Sequence, residues 1–456
     1  MKRIHFIAIG GSAMHNLALA LHAKGYIVTG SDDEIFEPAR SRLAAAGLLP
    51  ESEGWYPSRL DAMPDAVILG MHAKADNPEL LRAGELRIPV FSYPEYLYEQ
   101  SKDKTRIVIG GSHGKTTITA MILHALRHAG IETGFMVGAR LPGFDIMVGL
   151  SDTAPYMVFE GDEYLTSPID PRPKFHLYRP HLALISGIAW DHINVFPEFS
   201  GYVDQFRQFI RLTEAGGTVF YAAGDEVLAA LCSESFPHVN LKSYSYPSYR
   251  VEGEQTLVIH EGEAFPLQVF GRHNLLNAAG AAAICDMLSV GRRDFWQAMT
   301  TFRGAANRLE CLAKSDTTAV YKDFAHAPSK VKATVQAVRE QYPGRKLVAC
   351  LELHTYSSLS RQFLSQYKGS LEHADTAMVY YNPHALQIKR LPPVDPDDID
   401  AGFAKPQLLV FNDSDGLKQS LLSLDYRNSV LLLMSSGNFD GMNLDSIAAS
   451  VTGNNI

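Results

Sequence analysis

Short apolar runs alternate with amphipathic stretches along the chain, and glycine-rich or polar turns separate them. The first apolar run covers residues 4–9 and ends at Gly10, and a helical pattern follows it as far as Gly25. A second apolar run begins at Tyr26. Short apolar runs bounded by turns are typical of buried strands, and strands that alternate with helices indicate a parallel sheet. The pattern therefore predicts an α/β protein.

The same alternation continues over the rest of the chain and predicts where the domains meet. The charged run at residues 101–104 interrupts it and indicates a linker. The acidic, proline-rich segment 391–400 is predicted to be a solvated loop. Buried strands of the last third are predicted at 346–351, 376–381 and 429–434.

The first glycine loop has the surroundings of a nucleotide site. Gly10-Gly11-Ser12 lies between a predicted strand and helix, and Asp32 follows the second strand about twenty positions later. Glycines let the backbone approach a pyrophosphate, a helix N-terminus favours its charge, and the carboxylate can bind a ribose hydroxyl. However, Ala13 and Asn16 stand where a dinucleotide site has its second and third glycines. A nicotinamide dinucleotide, a UDP-sugar and a tight turn without a ligand therefore all fit this segment.

A second glycine loop, residues 110–117, reads Gly-Gly-Ser-His-Gly-Lys-Thr-Thr and follows a predicted strand. An amphipathic helix comes next and stops at Gly130. Backbone N–H groups of such a loop hold phosphate oxygens, Lys115 adds a point charge, and the Thr116 hydroxyl can reach Mg²⁺. Ile109 replaces the first glycine of the GxxxxGK[ST] pattern, so the loop is a shortened variant. The segment predicts ATP binding.

Two further predicted strands end in side chains that suit a metal–nucleotide site. Glu160-Gly161-Asp162-Glu163 follows the run 156–159, and Asp191-His192 comes shortly after the run 182–185. Ligands of open α/β sheets gather outside the carboxyl ends of the strands, where both segments are expected to face the phosphate loop. A Mg²⁺·ATP complex needs such groups to complete the metal's coordination.

Composition narrows the classes of protein. The net charge of −9, from 41 Lys and Arg against 50 Asp and Glu, argues against a nucleic-acid partner. The four cysteines are widely separated and form no CxxC pair, which indicates free thiols in a reducing compartment and a cytoplasmic protein. No uninterrupted run of about 18 apolar residues exists, so no membrane span is expected. The length of 456 residues suggests three domains.

Six motifs in the same order resemble those of the Mur ligase family, the ATP-dependent amide-forming enzymes of bacterial cell-wall precursor synthesis. The phosphate loop is similar to the family's G-T-H-G-K-T-T, and residues 160–163 are similar to its E-A-D-E. One such motif is weak evidence, whereas six in order are specific. The others are Asp191-His192, similar to D-H; residues 271–277, similar to G-x-H-N-x-x-N; residues 307–310, similar to R-R-x-E; and residues 323–328, similar to D-[FY]-[GA]-H-H-P.

The resemblance implies three α/β domains: a UDP-sugar-binding Rossmann-like domain at 1–103, a central P-loop ATPase with a mostly parallel sheet at 104–312, and a C-terminal Rossmann-like domain at 313–456 that binds the incoming amino acid or peptide. It implies ATP and Mg²⁺ as cofactors, and we expect a monomer or weak homodimer. The implied catalytic residues are Lys115, His192 and Arg308. The implied ATP-binding residues are Gly111, Ser112, His113, Gly114, Lys115, Thr116, Thr117, His273, Asn274, Asn277, Arg308, Asp323 and His326. The implied metal ligands are Thr116, Glu160 and His192, and the implied UDP-sugar residues are Gly10, Gly11, Ser12, Asp32, His72 and Asn77.

The family chemistry implies that ATP converts a carboxylate to an acyl phosphate, which an amine then attacks. No lysine lies between Asp191 and Arg211, which is similar to the branch that uses UDP-N-acetylmuramate. In that branch the amine is either L-alanine or, in peptidoglycan recycling, the tripeptide L-Ala-γ-D-Glu-meso-diaminopimelate. Residues 29–32, 163–175 and 434–441 look more like the tripeptide-using members, whereas residues 354–356 are nearer the alanine-using ones. We therefore expect the tripeptide and keep L-alanine as the alternative.

Two alternatives from other classes stay open. A nicotinamide-dependent oxidoreductase could be built on the first glycine loop. A non-catalytic ATP-binding regulator is the other, because Ala306 and Asn307 replace arginines of the family pattern and Ala327 replaces its second histidine. Binding of NAD(P)H and turnover of ATP would separate these alternatives from the ligase.

Overall fold

The computed structural model describes residues 2–139, 141, 144, 146–167, 169–190, 195–305 and 308–453. The backbone divides into two compact units. The first unit comprises the described residues up to Trp190, residues 195–245 and Gly280–Asp294, and the second comprises Tyr246–Ala279 and the described residues from Phe295 onwards.

The N-terminal part of the first unit is a four-stranded parallel sheet in the order β2-β1-β3-β4. Its glycine loop joins the first strand to the first helix, as the apolar pattern predicts. The elements are β1 (Arg3–Ile7), α1 (Ser12–Ala23), β2 (Ile27–Ser31), α2 (Ala39–Ala45), a 3₁₀ turn (Pro57–Ala62), β3 (Ala66–Leu69), α3 (Pro78–Glu85), β4 (Val90–Ser92) and α4 (Tyr93–Glu99).

The rest of the first unit is built on a seven-stranded sheet in the order β13-β12-β11-β5-β8-β6-β7. Its strands are parallel except β7, which pairs antiparallel with β6. Two short strands, β9 and β10, form a separate antiparallel pair. The elements are β5 (Thr105–Gly110), α5 (Lys115–His128), β6 (Thr133–Met136), β7 (Val148–Gly149), β8 (Tyr156–Glu160), β9 (Leu165–Ser167), β10 (Asp170–Pro173), α6 (Lys174–Leu177), β11 (Leu182–Ile185), α7 (Phe199–Arg211), β12 (Thr218–Ala222), α8 (Glu226–Cys232) and β13 (Asn240–Tyr244).

The second unit contains a three-stranded antiparallel sheet, β14-β15-β16, and a six-stranded sheet in the order β17-β18-β22-β19-β20-β21. Only β17 is antiparallel in the larger sheet. The remaining elements of the chain are β14 (Tyr249–Glu252), β15 (Gln255–His260), β16 (Glu263–Leu267), α9 (Arg272–Met287), α10 (Arg292–Met299), β17 (Glu310–Lys314), β18 (Thr318–Asp323), α11 (Pro328–Gln341), β19 (Lys346–Leu353), a 3₁₀ turn (Arg361–Tyr367), β20 (Thr376–Tyr381), α12 (Pro383–Ile388), α13 (Pro396–Phe403), β21 (Leu409–Phe411), α14 (Ser414–Ser423), β22 (Ser429–Met434) and α15 (Leu444–Thr452).

The predicted α/β fold with mostly parallel sheets is confirmed, and the three strands predicted in the last third are β19, β20 and β22. The solvated loop predicted at 391–400 is found only as far as Asp395; for 396–400 the prediction is wrong, because Asp395 and Asp398 form a capping box that begins α13. That helix buries Ile399 and Phe403. An Asp-Pro-Asp-Asp run is therefore a helix N-terminus at this position rather than a loop.

The predicted linker at 101–104 is a connection without regular structure; Lys102 and Asp103 are exposed, but the residues at its two ends are packed. Ser101 is buried, and the Lys104 ammonium donates to the carbonyl oxygens of Asp152 and Ala154 at 3.3 and 2.8 Å. The charge of Lys104 therefore does not make it an exposed residue. All four cysteines are free. No helix within the described ranges is long and apolar enough to cross a membrane.

Candidate active site

The phosphate loop lies between the end of β5 and the start of α5, as the sequence predicts. Gly111 and Gly114 have φ of +120° and +72°, values that residues with a side chain rarely adopt. The loop also lies against the end of β11, since the Ser112 N–H donates to the Gly187 carbonyl at 3.0 Å. Glycine adopts these backbone angles without strain, so it suits the turn that leads from β5 into α5.

Lys115, the first residue of α5, is held by a carboxylate at the end of β8. Its ammonium donates to Glu163 Oε2 at 2.6 Å and to the Gly111 carbonyl at 2.8 Å. Burial lowers the pKa of Lys115, but Glu163, Asp162 and Glu160 outweigh burial, and the pKa lies above its usual value. Lys115 is therefore a fixed cation beside the phosphate loop.

Thr116 and Glu160 place a hydroxyl and a carboxylate side by side next to this cation. The Thr116 hydroxyl donates to Glu160 Oε1 at 2.7 Å, and the Gly138 N–H donates to Glu160 Oε2 at 2.7 Å. Hydroxyl and carboxylate oxygens are the donors that Mg²⁺ prefers, so this pair fits the predicted metal. The third predicted ligand, His192, lies outside the described residues, as does Asp191. Within the described part of the chain, no group of three or more His, Cys, Asp or Glu could hold a metal ion.

Tyr202 is a buried residue beside the phosphate loop that none of the sequence motifs indicates. It is fully buried on α7, its hydroxyl donates to Glu163 Oε1 at 3.1 Å, and it lies 2.9 Å from Ser112 Oγ. Ser112 Oγ in turn accepts the Ala189 N–H at 2.9 Å. Tyr202 thus joins the phosphate loop to the carboxylate that holds Lys115. Its sequence environment is that of an ordinary apolar helix face, which gave no signal of this role.

Replacing Tyr202 with phenylalanine is expected to raise the KM for ATP roughly fivefold and to lower the free energy of unfolding by about 1 kcal/mol, because one hydroxyl shared by Ser112 and Glu163 is lost. Steady-state kinetics and thermal unfolding measure both. Tyr178→Phe is the matched control, since Tyr178 is also fully buried and its hydroxyl has no partner among the described residues. Equal KM changes in the two variants would contradict the positioning role.

The predicted UDP-sugar residues lie at the carboxyl ends of β1, β2 and β3. Asp32 is buried; its Oδ2 accepts the Gly10 N–H at 2.7 Å and its Oδ1 accepts the Asp33 N–H at 3.0 Å. His72 is exposed after β3. Asn77 is the N-cap of α3, where its side-chain oxygen accepts two backbone N–H groups. The structure therefore brings Asp32 and the glycine loop into direct contact and gives Asn77 a helix-capping contact.

Burial raises the pKa of Asp32 to about 6, an effect that the Gly10 N–H bond opposes and Asp33 reinforces. Because the folded state holds the proton more tightly than the unfolded state, wild-type stability should fall as the pH rises from about 4 to 6. Asp32→Asn should remove this loss, so its gain in unfolding free energy over the wild type should be larger at pH 8 than at pH 5. Denaturant unfolding at both pH values tests this. Asp76→Asn, in the exposed loop after β3, is the control: its effect on the unfolding free energy should be the same at pH 5 and at pH 8.

Asn16, which stands at the third glycine position of the dinucleotide pattern, is a structural link within the first unit. Its Nδ2 donates to the Ser12 carbonyl at 2.8 Å. Its Oδ1 accepts from Arg42 at 3.0 Å and from the Met147 N–H at 3.0 Å. The departure from glycine therefore ties helix α1 to the segment before β7.

The predicted adenine residues are at the start of α9, in the second unit. Asn274 Nδ2 donates to the Phe270 carbonyl at 2.9 Å, and both Asn274 and Asn277 are buried. His273 Nδ1 is shielded from solvent and has no hydrogen-bond partner among the described residues. Burial lowers the pKa of His273, with Asp323 and Glu340 opposing it. A shielded ring nitrogen without a partner is available to a ligand.

Arg308, Asp323 and His326 lie together in the second unit. Asp323 Oδ2 accepts the Leu309 N–H and its Oδ1 accepts the Ala325 N–H, both at 2.7 Å. The Arg308 guanidinium lies 4.5 Å from the centre of the ring of Phe324. His326 Nδ1 is 2.8 Å from the carbonyl oxygen of Phe324. Asp323 thus fixes the backbone next to Arg308 and next to His326 through the N–H groups of Leu309 and Ala325. The ligand roles of these residues, like those of the other predicted site residues, stay predictions.

Comparison with known proteins finds one family over three consecutive segments. Residues 3–105 match "Mur ligase family, catalytic domain". Residues 109–285 match "Mur ligase middle domain", and residues 307–437 match "Mur ligase, glutamate ligase domain".

Individual relatives agree with this result. The chain is 32% identical over 365 residues, 77% of this chain and 80% of the relative, to the UDP-N-acetylmuramate–L-alanyl-γ-D-glutamyl-meso-2,6-diaminoheptandioate ligase of Haemophilus influenzae. It is also 32% identical over 392 residues, 83% of this chain and 81% of the relative, to the UDP-N-acetylmuramate–L-alanine ligase of an Arthrobacter species. The solved structure of a murein peptide ligase from Psychrobacter arcticus has the same fold, with a TM-score of 0.66, 24% identity and 99% of both chains covered.

Proposed function

We propose that this chain, which belongs to the Mur ligase family, joins L-Ala-γ-D-Glu-meso-diaminopimelate to UDP-N-acetylmuramate. Members of the family are ATP-dependent ligases that form an amide bond, so the chain is an enzyme that binds ATP. Membership removes the basis for the oxidoreductase alternative. The observation that carries the ATP-dependent step of the proposal is the arrangement at the phosphate loop, where the largely buried cation Lys115, with a side chain 15% exposed, and the oxygen pair of Thr116 and Glu160 meet at one helix N-terminus.

The residues around the phosphate loop suit transfer of a phosphoryl group to a carboxylate. The loop N–H groups and Lys115 bind phosphate oxygens and neutralise the charge that develops on them. Thr116 and Glu160, with His192, would hold Mg²⁺, which supplies further positive charge to the phosphates when it is bound. Arg308 would add a second cation, and His273, Asn274 and Asn277 would bind adenine. Asp323 and His326 would reach the ribose and phosphate.

The identity of the amine is the finer part of the proposal. The Haemophilus and Arthrobacter relatives are equally similar in percentage identity, so identity alone does not separate tripeptide from L-alanine. The stretches 29–32, 163–175 and 434–441 favour the tripeptide. The segment His354-Thr355-Tyr356 favours L-alanine, which is the second candidate.

One coupled assay tests the proposal. The full chain is incubated with ATP, Mg²⁺ and UDP-N-acetylmuramate, and phosphate release is followed with buffer, L-alanine or the tripeptide. We expect release that depends on the tripeptide and a matching amide product by mass spectrometry. Release with L-alanine and none with the tripeptide would establish the second candidate. Release with neither amine would favour the non-catalytic regulator.

The proposed reaction also sets the expected surroundings of the protein. ATP and UDP-activated sugars are made inside the cell, so we place the protein in the cytoplasm and propose no membrane or nucleic-acid partner. We propose a monomer or a weak homodimer, which sedimentation at several protein concentrations would test. Of the family departures, Ala306 and Asn307 lie outside the described residues, and Ala327 is the N-cap position of α11.

A further inference from the structure

A carboxylate is buried at the end of β19, in the middle of the six-stranded sheet. Glu352 is 2% exposed, and its Oε2 accepts the Phe439 N–H at 2.8 Å and the hydroxyl of Ser435. Both donors belong to the loop that follows β22, the neighbouring strand. One oxygen of Glu352 therefore holds that loop against β19, and the other oxygen is left to face a different group.

The other oxygen, Oε1, faces an imidazole. It lies 3.7 Å from Nδ1 of His354, an ion-pair distance that is longer than a hydrogen bond. The side chain of His354 is 43% exposed, whereas that of Glu352 is buried. At this distance the carboxylate attracts a proton on Nδ1 electrostatically, which favours the tautomer in which Nε2 is the nitrogen that accepts a proton.

The loop after β22 passes close to Glu352 and His354 at Gly437. A side chain at Gly437 would place its Cβ 2.7 Å from His354 Nδ1 and 2.9 Å from Glu352 Oε2. The Gly437 N–H also donates to Ser435 Oγ at 2.6 Å. Glycine at this position therefore lets the backbone pass directly beside the side chains of Glu352 and His354.

The charges around Glu352 favour its ionised form. Burial raises its pKa, but His354, Ser435 and the Phe439 N–H outweigh burial, and the pKa lies below its usual value. From the neighbouring elements, Tyr380 of β20 and Asp440 of the loop after β22 also carry ionisable groups here, and Glu352 and Asp440 both act on Tyr380. The carboxyl ends of central strands in a parallel sheet are where such sheets bind ligands.

We propose that His354 accepts the proton that the incoming ammonium group must lose before it can act as a nucleophile, and that Glu352 is a positioning residue for its imidazole. This rests on the proposed function. The residue pair deepens it by assigning the amine step to particular atoms of the second unit, which the sequence motifs do not assign.

The step balances without a further reactant. An N–H bond of the ammonium breaks and its proton moves to His354 Nε2. The freed electron pair on nitrogen forms the C–N bond at the acyl phosphate carbonyl, the C–O bond to phosphate breaks, and phosphate leaves with that electron pair. The second proton of the attacking nitrogen leaves with the phosphate, and His354 returns its proton to solvent.

Hydroxylamine separates this step from the ones before it. It is largely unprotonated at neutral pH and traps acyl phosphates as hydroxamates without needing a base. We expect His354→Gln to lower the kcat for the peptide amine about a hundredfold at pH 7 and to leave hydroxamate formation from UDP-N-acetylmuramate and ATP within about twofold of wild type. Glu352→Gln should lower the kcat for the peptide amine about tenfold. The amide oxygen still accepts the hydrogen bonds from the loop after β22, but the amide has no negative charge to attract the proton on His354 Nδ1.

The pH profile of kcat is a second readout, and it should not change if His354 only supports the fold. Below the amine's own pKa of roughly 8, the free-amine fraction rises tenfold per pH unit. The kcat of His354→Gln should follow that slope between pH 6 and 8, whereas the wild-type kcat should level off at lower pH. His384→Gln is the matched control, since His384 is exposed after β20 at the same edge of the sheet and should behave as wild type in both assays.

Three outcomes are informative. If wild-type protein forms no hydroxamate, the proposed ligase function fails, and not this inference alone. If His354→Gln loses hydroxamate and amide formation equally, the residue acts before the amine step and the inference is overturned. If the variant changes only the KM for the amine and keeps the wild-type pH profile of kcat, His354 binds the amine without taking its proton, which overturns the inference as well.

Discussion

Lys115→Ala is expected to lower kcat about a hundred- to a thousandfold, because it removes the cation that neutralises charge on the transferred phosphoryl group. The same change leaves the carboxylate of Glu163, whose side chain is 1% exposed, without its ionic partner. Breaking a buried ion pair from one side costs about 3–5 kcal/mol of folding free energy. Loss of activity in this variant alone would therefore not prove a role in phosphate binding.

A double variant separates the two effects. Lys115→Met combined with Glu163→Gln removes both charges while keeping the side-chain volumes close to the original. Its unfolding free energy should return to within about 1 kcal/mol of wild type, since no unpaired charge stays buried. Its phosphate release should stay as low as that of Lys115→Ala. Recovery of turnover together with stability would show that Lys115 serves the fold and not the phosphate.

A third variant controls for loss of any buried lysine. Lys104 is 7% exposed and donates to two backbone carbonyls away from the phosphate loop. Lys104→Ala should lower the unfolding temperature and leave the kcat near that of wild type. Phosphate release at saturating ATP and thermal unfolding, measured on the same preparations, decide between these expectations.

The parts of the site that could be predicted from sequence depend on local pattern. A strand, a glycine loop, a lysine and a helix N-terminus are contiguous, so the position of Lys115 beside a phosphate cradle follows from a few neighbouring residues. Glu160 could be placed for a related reason, because carboxyl ends of parallel strands meet at one edge of a sheet. The confirmed family and fold class rest on several such local motifs in order.

The parts that could not be predicted depend on contacts between distant residues. Tyr202 lies 90 positions from Ser112 along the chain, and Ser435 lies 83 positions from Glu352. The apolar pattern around Tyr202 or around Glu352 does not show which distant polar atom the fold will place next to it. Such pairings are set by strand order, which short-range periodicity does not encode.

Asn77 is a different case, because its sequence surroundings indicate a helix N-cap, whereas the motif-based prediction gave it a binding role. An asparagine followed by proline and glutamate is a typical helix N-terminus, and Asn77 caps α3 through its side-chain oxygen. The motif-based prediction gave it a role in binding the UDP-sugar. That role stays a prediction, and capping leaves the Nδ2 of Asn77 as the part of its side chain that could serve it.

Gly111→Ala is expected to be the most damaging single-methyl change in the phosphate loop. Gly111 has a φ of +120°, and an added Cβ would lie 2.2 Å from Ser186 Oγ and 2.8 Å from the backbone nitrogen of Ser186. The Ser186 hydroxyl can rotate away if it gives up its hydrogen bond to the His113 carbonyl. The backbone just after β11 cannot shift without moving the Gly187 carbonyl that accepts the Ser112 N–H. Backbone strain and overpacking together should lower the unfolding free energy by about 2–4 kcal/mol.

The same displacement should reach the chemistry. The Gly111 carbonyl accepts a hydrogen bond from Lys115, so the loop and the cation should shift together. A displacement of about 1 Å can cost a hundredfold in rate, and we expect ATP-dependent phosphate release to fall by about that factor. Phosphate release on protein confirmed as folded by circular dichroism is the measurement.

Two companion variants identify the cause. Gly130→Ala has a comparable constraint, φ of +70°, but nothing within 4 Å of the added Cβ, so it should cost about 1 kcal/mol of stability and no activity. Adding Ser186→Gly to Gly111→Ala removes the hydroxyl contact and keeps the contact with the backbone nitrogen. Because the backbone contact is the one that cannot relax, this double variant should recover only a small part of the lost turnover. Full recovery would mean that the hydroxyl alone opposes a side chain at this position, and that the end of β11 does not fix the phosphate loop.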